Sequence, residues 1–440
     1  MPDAVLGMLG TGEWRGDSLR PENWRETILY EFPNGEAPLT AIMSKLPSET
    51  SDDPIFHWMT EALGQDSHTV TLFSDSALAS AYAGSTPLAV GDLIFVKLTL
   101  AQAQEYRIGH VVLLFDDGLS TTDRNAEVIA CVKNGASSYI QCRMIDADTS
   151  GLLGTSNATG SIGCLIIGNS SEQGSEIPDA IHYKPTAFEN YIQTFRNSLD
   201  MTRIMLKTRL RSGNKYEEYK RETLRYHSIE MEKAIRFGSR YSTTGPNSQE
   251  KYFTGGIRWW LRNYASANMS DYRTDTDFTG MTWEQGGEDY LDKMFEQLKR
   301  VQSDSSQDSL ILAGSKALKG VSQLAKVSGN VELGKERSTS YGLKIRDYVT
   351  DFGTFMMKWD PLFTKEANFR HNMLIVNPRN LRGRYIDDTM YVEDPQRRKK
   401  MGRHQRIDGI KEEYLTDFGL ELHHPQEFMW LAGIGEDNTL

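Results

Sequence analysis

The chain has 440 residues, 39% of them hydrophobic and 25% charged, which predicts a globular protein with two or three domains. No stretch approaches the ~18–20 uninterrupted apolar residues of a membrane span. The N-terminus also lacks the basic start and apolar run of a secretory signal, so the protein is expected to act in a cytoplasm. The formal net charge of −11 argues against a general nucleic-acid binder, because such proteins neutralise phosphates with lysine and arginine.

The N-terminal segments are polar or amphipathic. Residues 1–23 include four glycines and are typical of an arm rather than of a core element. Residues 23–46 predict two short amphipathic helices, separated at the Pro-Asn-Gly turn over 33–35. The alternation of apolar and polar residues over 54–63 predicts a strand.

From about Ser67 to His182 the sequence becomes a series of short apolar runs divided by turns. The separators contain Gly, Asn and Asp, which supply turn conformations. This spacing predicts a small all-β module, a barrel or a sandwich, inserted into the rest of the chain at a loop. The apolar runs lie at 69–73, 91–100, 106–115, 126–133, 138–145 and 162–168.

The longest helical pattern of the chain covers residues 214–240 and follows a strand-like segment over 187–210. It contains no proline, and Leu224, Met231, Ile235 and Gly238 are predicted to share one stripe. At 1.5 Å per residue such a helix spans roughly 40 Å. That length is typical of a structural spine rather than of a compact enzyme.

The C-terminal half alternates between helical and strand patterns. Residues 286–303 predict an amphipathic helix, and 308–327 predict a strand, a turn and a helix. Aromatic and β-branched residues predict strands over 341–363, 371–386 and 412–434. Gly255 and Gly256 predict a backbone bend before Trp259 and Trp260, which are expected to pack in a core rather than stack on a ligand.

Four phrases of this sequence resemble the HK97-type major capsid proteins of tailed bacteriophages, a type shared with herpesvirus shells. They are APLTAIMSKLPSETSDDPIFHW, ENYIQTFRNSLDMT, EEYKRETLRYHSIEMEKAIRFG and GIKEEYLTDFGLEL. The resemblance implies an α+β fold with an N-terminal arm at 1–50, an extended loop at 51–66 and 183–210, an inserted β-rich domain at 67–182, a spine helix and peripheral domain at 211–274, an axial domain at 275–365, and return strands of the peripheral domain at 366–440. The insertion departs from the minimal family pattern.

The same resemblance implies a structural role without catalysis or cofactors. Copies of the chain are expected to form hexamers and pentamers of an icosahedral head around double-stranded DNA, in a virion assembled in the bacterial cytoplasm. A portal protein is an expected partner, a decoration protein is an optional one, and no membrane is expected. No long charged helix precedes the arm, so a separate scaffolding protein is expected and N-terminal trimming is not.

Two other classes of protein compete with this interpretation. The β-rich module could belong to a phage decoration or host-attachment protein with a helical base. A hydrolase that uses the carboxylates is a third hypothesis, but the sequence contains no P-loop, no dinucleotide fingerprint, no nucleophile elbow and no HExxH helix. The three cysteines, Cys131, Cys142 and Cys164, are expected to be buried free thiols.

The candidate site residues form one strongly basic run. We expect it to contact either packaged DNA or an acidic edge of a neighbouring subunit, since both are anionic. The run contains Arg397, Arg398, Lys399, Lys400, Arg403 and Arg406.

Two further groups suggest metal sites, but neither has the required spacing. Histidines 423 and 424 beside Glu421, and His404 near Asp408, lack the i, i+4 pairing of helical zinc sites and are expected at strand ends and in loops. The acidic group 387, 388, 393 and 394 could bind a divalent ion, but it lacks the loop spacing of a calcium hand and is expected in a solvated loop.

Overall fold

The computed structural model divides the chain into two compact units. One unit comprises Met1–Trp58 with Phe188–Leu440, and the other comprises Met59–Ala187. The predicted arm over 1–23 and the predicted helices over 23–46 lie outside the described residues. The structure describes residues 48–61, 67–116, 123–160, 162–174, 176–178, 180–208, 215–301, 309–327, 332–333, 337–338, 344–350, 353–393 and 409–440.

The described residues mix helices with mainly antiparallel strands, which confirms the predicted α+β class. The strands are β1 (Glu49–Thr50), β2 (Ile55–Thr60), β3 (His68–Thr69), β4 (Thr71–Phe73), β5 (Leu93–Lys97), β6 (His110–Asp116), β7 (Arg124–Val132), β8 (Tyr139–Met144), β9 (Ile162–Asn169), β10 (Thr186–Tyr191), β11 (Gln193–Thr202), β12 (Tyr241–Thr244), β13 (Glu250–Phe253), β14 (Met269–Asp271), β15 (Ser309–Ala313), β16 (Glu332–Leu333), β17 (Arg337–Ser338), β18 (Lys344–Thr350), β19 (Gly353–Trp359), β20 (Met373–Val376), β21 (Leu381–Tyr385), β22 (Met390–Val392), β23 (Gly409–Leu422) and β24 (Met429–Ala432). The helices are α1 (Leu100–Ala103), α2 (Leu152–Thr159), α3 (Arg203–Lys207), α4 (Lys215–Phe237), α5 (Ile257–Tyr264), α6 (Trp283–Val301), α7 (Ser315–Val327) and α8 (Pro361–Lys365).

The unit Met59–Ala187 is built on a β-barrel. Its strand order is β3-β9-β6-β7-β8-β5-β4. Only Val70 separates β3 from β4, so one bent segment pairs with β9 on one side and with β5 on the other, which closes the sheet. Alternate residues such as Ile94 and Val96 are fully buried inside, as the period-2 pattern requires. Of the two predicted architectures, a barrel and a sandwich, the strand pairing therefore shows the barrel.

The other unit contains two larger sheets. The first has the strand order β1-β21-β23-β11, with β22 also paired to β23. Its longest pairing is antiparallel and runs from Gln193 opposite Phe418 to Thr202 opposite Gly409. The second sheet has the order β14-β24-β20-β15-β19-β18-β16, with β17 paired to β18.

The middle of the second sheet, at β15 and β20, is buried on both faces because helices pack on each side. Leu310 and Leu312 of β15 belong to a core with α4 and α5, whereas Ile311 and Ala313 belong to a core with α6 and α7. The continuous apolar sequences of β15 and β20 follow from this arrangement, since a strand covered on both faces has no polar side.

The predicted spine helix over 214–240 is confirmed as α4, a helix of 23 residues without a break. Met231 and Ile235 are buried as predicted, but the prediction for Leu224 is wrong, because it is 38% exposed. The buried face of the helix instead includes Thr223 and His227. Polar side chains occupy that face because they find hydrogen-bond partners on the sheet below, which a hydrophobicity pattern cannot detect.

The predicted helices and strands of the C-terminal half are also confirmed, as α6, β15 with α7, and strands within 341–363, 371–386 and 412–434. The sequence pattern did not predict the hairpin of β12 and β13 or the helix α5. Trp260 is fully buried, as expected of a packing residue. Among the helices of the described residues, none combines the length and apolar composition that a bilayer crossing requires.

Candidate functional site

The candidate functional site is the set of contacts that holds α4, and the paired strands β2 and β10, in place within the larger unit. At the N-terminal end of α4, the hydroxyl of Tyr216 donates to the buried carboxylate of Glu412 on β23, at 2.6 Å. The hydroxyls of Tyr216 and Tyr391 are 2.9 Å apart, and the Lys220 ammonium lies 3.6 Å from the centre of the Tyr391 ring. These contacts attach the start of the helix to the first sheet.

The middle of α4 is held by a buried histidine. The Nδ1 atom of His227 lies 2.5 Å from the side-chain oxygen of Asn197 on β11, and Nε2 lies 2.7 Å from the hydroxyl of Thr416 on β23. Because an amide oxygen can only accept, Nδ1 carries the proton, and Nε2 of the neutral ring accepts from Thr416. Burial lowers the pKa of His227 despite the opposing effect of Glu230.

This lowered pKa predicts a stability that falls in mild acid. Below the ordinary histidine pKa of about 6.5 the unfolded chain binds a proton that the folded chain does not, so the free energy of unfolding decreases by up to about 1.4 kcal/mol per pH unit until the pKa of the folded state is reached. Urea unfolding of the unassembled subunit between pH 7.5 and 5.5 measures this slope. His227→Gln is expected to flatten it.

His182→Gln is the matched control, because His182 is exposed and its replacement should leave the pH slope unchanged. Equal slopes for the unsubstituted chain and His227→Gln would contradict the assigned role of His227.

The C-terminal end of α4 carries a fully buried ion cluster. The guanidinium of Arg236 donates to Glu232 one turn earlier, with the Nε contact at 2.9 Å, and forms a second ion pair with Asp360. Asp360 lies between β19 and α8, where its carboxylate also accepts from the backbone N–H of Leu362. Burial opposes the charge of Arg236, but the two carboxylates outweigh it and raise its pKa. The helix is thereby joined to the second sheet.

Lys358 on β19 is a second buried cation near this cluster. Burial lowers its pKa, while Asp360 and Glu232 act in the opposite direction. Its ammonium makes no hydrogen bond within the described part of the chain. The carboxylates therefore neutralise Arg236 directly, and Lys358 interacts with them only at longer range.

The end of α4 depends on a close backbone approach at Gly256. The N–H of Gly256 donates to the carbonyl of Gly238 at 3.0 Å. A Cβ atom at Gly256 would lie 2.5 Å from the carbonyl oxygen of Ala234 and 2.6 Å from that of Ile235. The predicted backbone bend at 255–256 thus passes directly over the last turn of the helix, where only glycine fits.

Gly256→Ala is accordingly expected to destabilise the subunit by about 1–3 kcal/mol, the usual cost of overpacking, because backbone atoms cannot move aside as a flexible side chain would. Gly245→Ala in the β12–β13 turn is the control, since its Cβ would meet ordinary contact at 3.5 Å. Thermal unfolding measures the midpoints of both variants, and the midpoint of Gly256→Ala should be the lower. Equal midpoints would contradict the close approach.

Aromatic side chains anchor the ends of β2 and β10 that belong to the larger unit. The ring of Trp58 lies 5.2 Å from that of Trp260 on α5 and 6.1 Å from that of Phe188 on β10. Phe188 in turn packs edge-on against Tyr264, with ring centres 5.1 Å apart. Such large buried rings contribute strongly to packing energy, so the base of this strand pair is firmly attached to α5.

Asn190 on β10 links three segments at the same place. Its fully buried side-chain amide donates to the carbonyls of Gly255, at 3.0 Å, and Leu420, at 2.6 Å. Its side-chain oxygen accepts from the N–H of Gly255 at 2.8 Å and from that of Tyr191 at 2.9 Å. One amide therefore satisfies backbone groups of β10, of the bend after α4, and of β23.

The last residues before β2 are also tied to the first sheet. β1 pairs in parallel with β21, and Glu49 lies opposite Arg384. Arg384 forms ion pairs with both Glu49 and the buried Glu421. Burial would raise the pKa of Glu421, but hydrogen bonds from His423 and Arg384 outweigh it and hold the pKa below its usual value.

The sequence candidates fall in different places. The basic run over 397–406, His404, Asp408 and residue 394 lie outside the described residues. His423 forms a hydrogen bond with Glu421 and stacks on Trp58, so it lies at the edge of the hydrophobic core. His424 is exposed. Within the described ranges, no group of three or more His, Cys, Asp or Glu side chains is arranged to hold a metal ion.

Two of the three cysteines are confirmed as buried free thiols, and Cys131 is only partly buried. Burial raises the pKa of all three thiols. Raised thiol pKa values oppose nucleophilic chemistry, because the thiolate is the reactive form.

The contacts described above therefore connect structural elements of the larger unit. A model of the SU10 major capsid protein family matches residues 10–435, nearly the whole chain. The chain belongs to the SU10 major capsid protein family. The major capsid protein of Pseudomonas phage PaMx41 is 24% identical over 348 residues, which cover 79% of this chain and 74% of that protein.

Solved phage structures are similar at lower identity. The structure of Mycobacterium phage Adephagia matches at 9% identity with a TM-score of 0.44, covering 98% of this chain and 96% of that one. The capsid of Myoviridae phage XM1 matches at 16% identity with a TM-score of 0.38, covering 60% of this chain and 81% of that one.

Family membership confirms the role of phage major capsid protein that the sequence phrases implied. The alternative of a decoration or host-attachment protein is set aside, because both the family and the curated relative are major capsid proteins. The chain is a component of the virion.

Proposed function

We propose that copies of this chain form the hexamers and pentamers of an icosahedral head that encloses double-stranded DNA. The observation that carries the proposal is the fixation of α4 at both ends, to the first sheet through Tyr216 and to the second sheet through Arg236. A helix fixed in this way transmits force between two cores instead of bending. A shell wall that resists internal pressure needs such a rigid subunit.

The domain assignment by residue number is part of the proposal. The arm at 1–50 and the extended loop at 51–66 and 183–210 would reach neighbouring copies, while the axial domain at 275–365 would make the heterologous contacts that close a ring. The anchoring of Trp58 and Asn190 supports a loop that is rigid at its base. The insertion at 67–182 would project from the wall or reinforce a contact between rings.

The proposed partners follow from the same role. A portal protein and a separately encoded scaffolding protein would act during assembly in the bacterial cytoplasm, and a decoration protein could bind the finished head. The role requires no cofactor, no membrane and no catalysis. Packaged DNA would be held without sequence preference, in keeping with the chain's net charge of −11.

The proposal for the basic run over 397–406 is an anionic contact, with packaged DNA or with a neighbouring subunit. Replacing Arg397, Arg398, Lys399 and Lys400 by glutamine separates the two. Intact heads with less DNA would assign the run to DNA, whereas failure to form heads, rescued at low salt, would assign it to the subunit contact. Unchanged heads with full DNA content would contradict both.

Native mass spectrometry of the expressed protein, with and without its genomic neighbours, tests the oligomeric proposal. Assemblies in multiples of five and six copies are expected, followed by closed particles when the scaffolding partner is present. A population that remains monomeric, or that stops at a small oligomer of another symmetry, would contradict it.

A further inference from the structure

The negative charge of the chain is concentrated in the unit Met59–Ala187. That unit contains 14 acidic and 6 basic side chains, a net charge of −8, whereas the rest of the chain contains 46 and 43, a net charge of −3. Copies of an acidic unit repel each other at close range unless a basic surface of one meets an acidic surface of the next.

One outer face of the barrel is basic and aromatic in spite of this composition. On β5, Leu93, Phe95 and Lys97 point outward, since Ile94 and Val96 between them are fully buried. The strand pairing places Lys97 opposite Tyr139 and Leu93 opposite Arg143 on β8. Phe73 on β4 lies opposite Phe95, which completes the face.

The side chains of this face contact one another in a compact patch. The rings of Phe95 and Tyr139 meet edge to face with centres 5.7 Å apart, and the Lys97 ammonium lies 5.9 Å from the centre of the Phe73 ring. Arg143 remains 53% exposed although its guanidinium is 3.9 Å from Glu127. Lys133, which is exposed, begins the turn between β7 and β8. Aromatic residues and arginine are the types enriched in protein interfaces.

The same unit carries a segment of complementary chemistry. After β9, Glu172, Glu176, Ile177 and Pro178 are all exposed, and Ile177 is 97% exposed. A large apolar side chain that is almost fully exposed and follows two carboxylates has the composition of a segment that docks on a basic and apolar surface.

We propose that residues 172–174 and 176–178 of one copy dock on the basic aromatic face of a neighbouring copy, with Ile177 against Leu93 and Phe95, and with Glu172 and Glu176 near Lys97 and Arg143. The contact is heterologous, because the two partner surfaces differ, so it propagates from copy to copy. The inference rests on the proposed function, since the shell supplies the neighbour. A second copy is favoured as the occupant because one chain contains both complementary surfaces.

Disulfide trapping in mixed particles tests the contact directly. Chains with Ile177→Cys and chains with Leu93→Cys are co-assembled and oxidised, and a covalent dimer is expected in denaturing gels. Each substitution is at an exposed position, 97% and 44% exposed respectively. The unsubstituted chain, with two buried cysteines and one partly buried, is the background control.

Charge reversal gives the second arm of the experiment. Lys97→Glu with Arg143→Glu should lower the dimer yield about tenfold, the effect expected when hot-spot side chains are lost. Adding Glu172→Lys and Glu176→Lys should restore it, which also shows that the reversed face still folds. Lys184→Glu and Glu61→Lys, at exposed positions of the same unit, are the matched controls and should leave the yield unchanged.

Well-formed particles without the dimer would overturn the inference. A chain with both cysteines that cyclises, while mixed particles give no dimer, would overturn it in favour of an internal contact. Loss of nucleic acid from the charge-reversed particles, without any trapped dimer, would assign the face to a polyanion instead. If the unsubstituted chain forms no particle at all, the proposed function fails, and this inference fails with it.

Discussion

Replacing Arg236 by methionine is expected to reduce the free energy of unfolding by about 3–5 kcal/mol, the usual result when one partner of a buried ion pair is removed. The substitution keeps the volume of the side chain but leaves the carboxylates of Glu232 and Asp360 buried without their cation. A loss of this size is comparable to much of the stability of a typical domain. Urea unfolding of the unassembled subunit measures it, and head formation should fail in parallel.

Arg196→Met is the matched control, because Arg196 pairs with Glu413 at the surface and is 62% exposed. Surface pairs contribute at most about 1 kcal/mol, so this variant should be close to the unsubstituted chain. Adding Glu232→Leu and Asp360→Asn to Arg236→Met should recover part of the loss, since asparagine can still accept from Leu362. Equal stabilities of the Arg236 and Arg196 variants would contradict the role assigned to the buried cluster.

Replacing Asn190 by leucine is expected to cost about 3–5 kcal/mol, because each buried backbone group left without a partner costs about 1–3 kcal/mol. The groups affected are the N–H and carbonyl of Gly255, the N–H of Tyr191 and the carbonyl of Leu420. Leucine has the same branched arrangement of side-chain heavy atoms but is larger, so the substitution leaves no cavity and adds an overpacking cost to the loss of the hydrogen bonds. Hydrogen exchange at β10 and β23 should accelerate together.

Asn263→Leu provides the comparison for this variant. Asn263 is exposed on α5 and donates to the carbonyl of Trp259 at 2.8 Å, a bond that water can replace. Its replacement should change the free energy of unfolding by less than about 1 kcal/mol. If Asn190→Leu is equally mild, β10 is not anchored through Asn190.

The local patterns of the sequence predicted most of the secondary structure. The helix α4 was predictable because it lacks proline over 23 residues, and β15 because it is continuously apolar. The barrel strands were predictable because period-2 patterns were separated by glycine and asparagine turns. These signals are local, and each can be read within ten to twenty residues.

The contacts that hold the elements together were not predictable in this way. Arg236 meets Asp360 across 124 residues, His227 meets Thr416 across 189, and Asn190 meets Leu420 across 230. A single sequence gives no indication of which distant polar groups become neighbours. The burial of His227 on the face where Leu224 was expected is a consequence, because hydrogen bonding made a polar face suitable for the core.

Part of the candidate site could nevertheless be predicted from the sequence. Gly255 and Gly256 were recognised as a bend, and the reason for the second glycine is the close approach to the carbonyls of Ala234 and Ile235. The sequence patterns did not single out Ile177, because its exposure appears only in the folded chain. The basic run over 397–406 stays a prediction.

A cryo-electron microscopy reconstruction of particles formed by the purified chain and its assembly partners is the most direct test. We predict a closed shell in which every subunit contributes residues 215–237 as one straight rod, with its ends fixed to two separate sheets. A solitary protein in solution, or a shell whose subunits show this stretch broken into a compact bundle, would contradict the account.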